Sequence, residues 1–202
     1  MPFPTNAAST ELDAVNQILS SVGQAPVSTL DLTNPEVAIV LNTLREVNKQ
    51  VQGEGWVFNT ERGIELEPVN EIIDYPLNAL QVDANVAHTG RYDIVRRDSK
   101  LYDRHKHTNR FTENLKVDIT YHFDFTEVPP PIQAYITARA ARMCTVKMVG
   151  DAQLNQLLQE QEIMTRSAAL EYECNQGDYS MFGFNDGEDY YTSYQPFQAL
   201  KR

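Results

Sequence analysis

The chain has 202 residues, of which 42% are hydrophobic and 22% are charged, a composition typical of a globular protein and not of a disordered one. Its net charge of −11 argues against a conventional nucleic-acid-binding protein, because such a protein needs a basic surface to displace counterions from phosphates. No apolar run approaches the roughly 20 residues of a membrane span. Residues 1–10 lack the features of a signal or transit peptide. We therefore expect the protein to be made and assembled in the cytoplasm of its cell, without a membrane partner.

Four amphipathic helices are predicted, two before and two after a region of short apolar runs. Thr10 is a favourable N-cap, and Asp13 follows in the first turn, where a carboxylate suits the helix dipole. Asn34 followed by Pro35 is a second helix start. A proline run opens the third helix, and Asp151 caps the fourth. Apolar positions recur at helical spacing, and the predicted helices span residues 10–22, 35–52, 131–149 and 152–175.

Residues 56–126, between the two helix pairs, show the pattern of strands. In Val117–Phe125 every second residue is apolar, which is the period of a half-buried strand. Turn signals such as Asp98–Ser99 divide the rest. These features predict a small antiparallel sheet of roughly six strands, arranged as a barrel or a sandwich. Trp56, which follows two glycines at the end of the second helix, is predicted to be buried at the seam between helices and sheet.

The order of elements predicts an α+β fold. Neither helix pair can bury its apolar stripe alone, so the two pairs should form one four-helix bundle with the β-sheet inserted between them. The predicted units are a helical bundle of residues 1–55 and 127–176, an inserted β domain of residues 56–126, and an extended tail of residues 177–202. In the fourth helix the apolar residues assigned to the buried face are Leu154, Leu157, Leu158, Met164, Ala168 and Tyr172.

The tail is rich in aromatic side chains, and its only Leu, Ile or Val is Leu200. Tyr and Phe offer large contact areas at modest entropic cost and are enriched at interfaces. Two interpretations stay open: the tail wraps over its own domain, or it binds a partner protein. For the second, the candidate interface residues are Tyr179, Phe182, Phe184, Tyr190, Tyr191, Tyr194 and Phe197.

Motifs of enzymes and metal sites are absent from the sequence, which has no glycine-rich phosphate loop, no nucleophile elbow and no zinc-binding cysteine pair. His105 and His107 could place two imidazoles on one face of a strand, which is a weak metal signal. Cys144 and Cys174 lie in helical segments and are expected to stay reduced and partly buried. We therefore predict a protein without catalytic residues, cofactor or metal.

Two carboxylate pairs could serve a hydrolase as acid and base. They are Glu160 with Glu162 and Glu171 with Glu173. Residues two apart on a helix point about 200° apart, so the members of each pair should diverge. A solvated helix face is the simpler interpretation of all four.

The charge is unevenly distributed along the chain. Residues 88–116 hold eight Lys or Arg against four Asp or Glu, a net charge of +4, whereas the remaining residues hold nine basic against 24 acidic residues, a net charge of −15. The ordinary interpretation of the basic stretch is a solvated region of mixed charge. A nucleic-acid-binding surface is the alternative, and phosphate binding would weaken steeply with salt in a gel shift.

Four groups of residues occur in a fixed order along the chain. They are Leu12, Ala14, Val15, Asn16, Ile18, Leu19, Gly23 and Pro26–Leu30; Gly55–Asn59; Leu101–Asp103 with Phe111; and Tyr135, Ile136 and Arg139–Ala141. In this order, from about residue 10 to 175, the chain resembles the tail tubular protein A family, the portal-to-tail adaptors of short-tailed bacteriophages.

The resemblance implies a structural virion protein of the tail that forms a dodecameric ring. It further implies docking to the portal protein and to the tail nozzle (tail tubular protein B), tail fibres attached nearby, and a part in the DNA ejection channel. A closed ring uses heterologous contacts, and the acidic body and basic insert offer surfaces of opposite sign. An acidic channel wall repels phosphate, so DNA should pass without specific binding. The alternative function is a tail-associated cell-wall hydrolase, which sugar release from peptidoglycan would reveal.

Overall fold

The computed structural model describes residues 10–85 and 91–177. Within these ranges the chain forms an α+β structure, as predicted. The helices are α1 (Glu11–Ser21), α2 (Pro35–Gln52), α3 (Pro130–Met148) and α4 (Ala152–Gly177), and the strands are β1 (Thr60–Leu66), β2 (Ala79–Ala84), β3 (Ile94–Arg97), β4 (Lys100–Asp103) and β5 (Leu115–Tyr121). Single-turn 3₁₀ helices at Val57–Asn59 and Phe125–Glu127 connect the helical and strand regions.

The predicted capping residues begin the helices. The Thr10 hydroxyl accepts a hydrogen bond from the N–H of Asp13 at 3.1 Å, and the Asp13 carboxylate accepts one from the N–H of Thr10 at 3.1 Å. Together these bonds form a capping box. Asn34 accepts from the N–H of Glu36 at 3.0 Å, and Asp151 accepts from the N–H two residues later at 2.8 Å. The four predicted helices are therefore confirmed to within two residues at each end.

Helices α1, α2 and α3 share one apolar core, and α3 lies against both of the others as well as against α4. Complete burial of a Val, Leu or Ile side chain contributes about 1.5–3 kcal/mol, so this core is the main stabilising feature of the helical region. Its members that are 1% exposed or less are Val15, Ile18, Leu19, Val37, Val40, Leu44, Val47, Val51, Ile132, Tyr135, Ile136, Ala140, Cys144 and, from α4, Ala169.

Helix α4 lies along α3 and buries few of its side chains. Of its described side chains only Leu158, Ala169 and Glu173 are buried. A closed four-helix bundle, in which all four helices would contribute equally to one core, is therefore not confirmed.

The predicted buried stripe of α4 was partly wrong. Leu157 and Met164 are 63% and 73% exposed, and Ala168 is exposed as well. The inner face instead holds polar residues with partners on other elements, such as Glu162, which pairs with Arg142 of α3. Apolar spacing alone could not identify the inner face of α4, because the helix carries apolar side chains on both sides.

The strands form two small antiparallel units. In the first, β5 lies between β1 and β2, and the pairs Ile64–Val117 and Val82–Ile119 set the register. The second is the hairpin of β3 and β4, closed by the two-residue turn Asp98–Ser99. Both turn residues have positive φ, 51° and 59°, as in the primed turns that match strand twist.

The strand region was predicted as a barrel or a sandwich of roughly six strands. The five strands of the described ranges form no closed barrel, which excludes the first of these arrangements. The predicted strand Val117–Phe125 ends at Tyr121, because the side chain of Gln52 binds the backbone of Phe123 and because Phe125 joins the helical core.

A second apolar core lies in the strand region. The β3–β4 hairpin and the three-stranded sheet both contribute to it, so they are packed against each other. Its most deeply buried members are Leu101, Phe111, Leu115, Val117 and Ile119. None of the described helices combines the length and hydropathy that crossing a bilayer requires.

Candidate functional site

The helix-to-sheet junction is built around Trp56, which is only 3% exposed, as predicted. Its ring packs in the helical core, its indole N–H donates to the carbonyl of Val51 at 2.7 Å, and its backbone N–H donates to the side chain of Asn59 at 2.8 Å. Gly55, immediately before it, has a φ of 78°, a conformation that favours glycine. The motif Gly55–Asn59 therefore fixes the direction in which the chain leaves α2.

Two side-chain amides bind the backbone of the strand region to α2. Asn59 donates to the carbonyls of Gln52 and Tyr121, both at 2.9 Å. Gln52, which is fully buried, donates to the carbonyl of Phe123 and accepts from its N–H, both at 2.8 Å. The Gln52 amide thus satisfies both backbone hydrogen-bonding groups of Phe123, as the backbone of a neighbouring strand would.

A polar network links the end of α2 to α3 and α4. The buried hydroxyl of Tyr135 accepts hydrogen bonds from Arg139 at 3.1 Å and from Arg166 at 2.6 Å. The Glu54 carboxylate accepts from the same two guanidinium groups, at 3.3 Å and 3.1 Å. Each arginine therefore contacts both a phenol and a carboxylate, and the three elements are held in one arrangement.

The C-terminal end of α4 is tied to the same junction. The carboxylate of Glu173, 8% exposed, accepts hydrogen bonds from the N–H of Val57 at 2.9 Å and 3.2 Å. Sequence reasoning placed this glutamate on a solvated face and missed the contact, since no local pattern distinguishes it from Glu171. The C-terminal part of α4 is therefore held against the junction between helices and sheet.

The four glutamates considered for hydrolase chemistry do not converge. Glu162 is held by Arg142 and Glu173 by the backbone of Val57, whereas Glu160 and Glu171 are exposed to solvent. The predicted divergence within each pair is confirmed. The prediction that all four are solvated was wrong for Glu162 and Glu173.

A groove of about 440 Å³ lies beside the junction. Burial lowers the pKa of His122 in this groove below its ordinary value, against the opposing effect of Asp124, so the imidazole is neutral near pH 7. Arg45 is held there by Glu11 at 3.1 Å. The groove is lined by Glu11, Arg45, Asn48, His122, Asp124, Phe125 and Thr126.

The predicted metal-ligand candidates are not assembled into a site. His105 and His107 lie in an exposed turn after β4 and not on a strand, which corrects that expectation. Among the described residues no group of three His, Cys, Asp or Glu side chains is placed to hold a metal ion. Both cysteines are free: Cys144 is buried, and burial raises the pKa of its thiol, whereas Cys174 is exposed.

Residues 91–113, here called the basic lobe, comprise the β3–β4 hairpin and the turns on either side of it. They hold seven Lys or Arg and four Asp or Glu. Asp103, completely buried, organises the lobe by accepting from the N–H groups of Asp93 at 3.2 Å and His105 at 2.9 Å. This aspartate belongs to the motif Leu101–Asp103, whose structural role the sequence did not reveal.

Six of the seven cations of the basic lobe fall into two groups. Arg91, Arg104 and Arg110 form ion pairs with carboxylates at 2.7–3.6 Å. By contrast, three cations lie over tyrosine rings and form no ion pair with any described carboxylate. These are Arg96 over Tyr75 at 4.8 Å, Arg97 over Tyr102 at 3.9 Å and Lys106 over Tyr92 at 4.3 Å. The positive charges of the second group are therefore not neutralised by a described carboxylate and can bind acidic groups of a partner.

The predicted interface residues of the tail lie outside the described residues. These are Tyr179, Phe182, Phe184, Tyr190, Tyr191, Tyr194 and Phe197. Among the described residues, the candidate interaction sites are the junction, the basic lobe and the outer side of α4.

Comparison with known proteins identifies relatives of the chain. Residues 12–179 match the model of a family described as tail tubular protein. Tail tubular protein A of Klebsiella phage KP34 is 24% identical over 167 residues, which cover 82% of this chain and 88% of that protein. The matched region includes the junction, the basic lobe and all four helices. The resemblance inferred from the sequence motifs is therefore confirmed.

Proposed function

Because the chain belongs to the tail tubular protein family, we propose that it is the adaptor subunit that joins the portal to the tail of a short-tailed bacteriophage. It is a structural component of the virion tail. The finer role, as a ring that connects the portal to the tail nozzle and forms part of the DNA ejection channel, is our proposal. The observation that carries it is the family match over residues 12–179.

The physical character of the described surface supports an assembly role. Helix α4 exposes large apolar side chains, and Arg96, Arg97 and Lys106 form no ion pair with any described carboxylate. Such surfaces gain from contact with other proteins. We propose as partners other copies of the chain in a dodecameric ring, the portal protein, the nozzle protein tail tubular protein B, and tail fibres attached nearby. DNA passes through the ring without specific binding, because a wall of net negative charge repels phosphate.

In this proposal the chain has three units. Residues 1–55 and 127–176 form a four-helix bundle, residues 56–126 form the inserted β domain, and residues 177–202 form the interaction tail. The chain works through geometry and not catalysis. The hydrolase alternative has no supporting observation, since the four candidate glutamates do not converge. Release of sugar from purified peptidoglycan by the full chain would contradict the non-catalytic role.

Electron microscopy tests the proposed ring directly. We expect negatively stained images of the purified chain mixed with its portal to show a second ring stacked coaxially on the portal ring. Images of the portal alone are the control. A portal that stays bare at saturating concentrations of the chain would contradict the adaptor function.

Removal of the tail tests its role as an interface. We expect a chain that ends at Gly177 to melt at nearly the temperature of the full chain, since the described cores lie entirely before that residue. Its affinity for the portal should fall at least about tenfold, a loss of about 1.4 kcal/mol. Thermal melts and a pull-down titration measure the two effects. A truncated chain that unfolds shows that the tail wraps over its own domain, and undiminished portal affinity places the contact elsewhere.

A further inference from the structure

The outer side of α4 carries a regular stripe that its own chain does not cover. Its members recur at alternating spacings of three and four residues, which keeps them on one side of a helix. All are exposed. The stripe, here called the outer stripe, consists of Leu157, Glu160, Met164, Ser167 and Glu171.

The apolar members of the outer stripe are largely exposed, because α4 packs against α3 and the Val57–Asn59 turn through its opposite side. Leu157 is 63% and Met164 is 73% exposed, and Ile163, next to Met164 in sequence, is 57% exposed. Several large apolar side chains exposed on one side of a helix mark an interaction site on a folded protein. The two glutamates of the stripe are exposed and form no ion pair within the described part of the chain, so a partner for the stripe should be both apolar and basic.

The basic lobe of the same chain has that character. Arg96 and Arg97 lie over tyrosine rings and have no described carboxylate partner. The described residues outside the lobe hold eight basic and 20 acidic residues, a net charge of −12, whereas the lobe carries +3. The lobe is therefore opposite in net charge to the rest of the described chain.

We propose that the outer stripe of α4 in one subunit binds the basic lobe of a second copy of the chain. This inference rests on the ring of the proposed function and names two surfaces that meet in it. The guanidinium groups of Arg96 and Arg97, held over Tyr75 and Tyr102, supply the positive charge that Glu160 and Glu171 bind in this contact. The aliphatic stems of the arginines cover the apolar members of the stripe.

The proposed contact explains the geometry of assembly. The stripe and the lobe are different surfaces, so the contact is heterologous, and each subunit has one of each to offer. Repetition of a heterologous contact closes into a ring when the rotation between subunits allows it. In this arrangement α4 serves two partners: its inner face, with Leu158 and Ala169, packs within its own chain, and the outer stripe binds a second subunit.

Two charge-reversed variants of the full chain test the contact. The stripe variant is Glu160→Arg with Glu171→Arg, and the lobe variant is Arg96→Glu with Arg97→Glu. In each variant, stripe and lobe carry charge of the same sign, so each alone should self-associate at least about tenfold more weakly than the unaltered chain. When the two variants are mixed, every stripe of one variant can again meet a lobe of opposite charge on the other, and association should return.

Sedimentation velocity over a concentration series at low ionic strength measures these affinities, because salt screens the contact. A variant with Glu67→Arg and Glu127→Arg is the matched control, since both carboxylates are exposed and lie outside the two surfaces. Recovery in the mixture also proves that both variants are folded. The proposed contact is overturned if association stays weak in the mixture or if neither variant weakens it. It is also overturned if the unaltered chain remains monomeric at its highest soluble concentration.

The same variants separate this contact from the proposed function. If both reversed variants still stack a full ring on the portal in electron micrographs, the adaptor function stands and the contact between stripe and lobe is wrong. If the lobe variant self-associates normally but loses affinity for duplex DNA, the partner of the lobe is nucleic acid and the proposal is also overturned. Failure of the unaltered chain to bind the portal would instead contradict the adaptor function itself.

Discussion

We expect Trp56→Ala to lower the free energy of unfolding by about 3–5 kcal/mol, the range for truncation of a large buried aromatic. Trp56 is 3% exposed and packs in the helical core at the point where the chain turns toward the sheet. Neighbouring side chains cannot fill the space of an indole, so a cavity remains. For a chain of this size the melting temperature should fall by roughly 6–20 °C, which differential scanning calorimetry measures.

Two further variants serve as comparisons for Trp56→Ala. Trp56→Phe keeps a six-membered aromatic ring but loses the indole N–H and the five-membered part of the indole. The Val51 carbonyl still accepts from the N–H of Glu54 at 3.1 Å, so the loss comes mainly from poorer packing, and this change should cost less than Trp56→Ala, about 1–3 kcal/mol. Val57→Ala, at an adjacent and more exposed position, should change stability by less than about 0.5 kcal/mol. Equal losses for Trp56→Ala and Val57→Ala would contradict a core role for the tryptophan.

The helices could be predicted from the sequence because their signals are local. Thr10 with Asp13, and Asn34 with Pro35, fix helix starts through hydrogen bonds that span two or three residues. The hairpin turn Asp98–Ser99 is equally local, because its positive φ values depend on the two residues themselves. Each of these features needs nothing from the rest of the chain.

The errors of sequence reasoning arose where distant residues decide the structure. Every second residue from Val117 to Phe125 is apolar, yet the strand ends at Tyr121 because Gln52 of α2 binds the backbone of Phe123. In α4, Leu157 and Met164 have the spacing of a core stripe but face outward. The inner face could not be recognised, because its glutamates depend on partners far away in sequence, such as the arginine of α3 that pairs with Glu162.

The candidate site was predictable only in part for the same reason. The sequence motifs Gly55–Asn59 and Tyr135–Ile136 each contain residues of the junction. In the structure the Glu54 carboxylate, next to the first motif, binds the same two arginines that donate to the Tyr135 hydroxyl of the second. The contributions of Gln52 and Glu173 were not predictable. Both look like ordinary polar residues of a helix surface, and only the fold shows that each binds backbone of another element.

Replacement of Gln52 tests how strongly the junction depends on such a residue. We expect Gln52→Leu, which keeps most of the side-chain volume, to lower the free energy of unfolding by about 2–4 kcal/mol. The change leaves the N–H of Phe123 and the side-chain oxygen of Asn48 without the partners they have now, both at 2.8 Å. An unsatisfied buried polar group costs about 1–3 kcal/mol. Chemical denaturation measures the loss.

Gln50 provides the matched control, because it lies two residues away on the same helix and is exposed. Its side chain donates only to Glu46, at 3.3 Å, so Gln50→Leu should change stability by less than about 0.5 kcal/mol. Amide hydrogen exchange adds a local measurement: Gln52→Leu should accelerate exchange at Phe123 more than at the centre of β5, since only the former loses its acceptor. Similar effects of the two substitutions would show that the Gln52 amide does not hold the sheet to the helices.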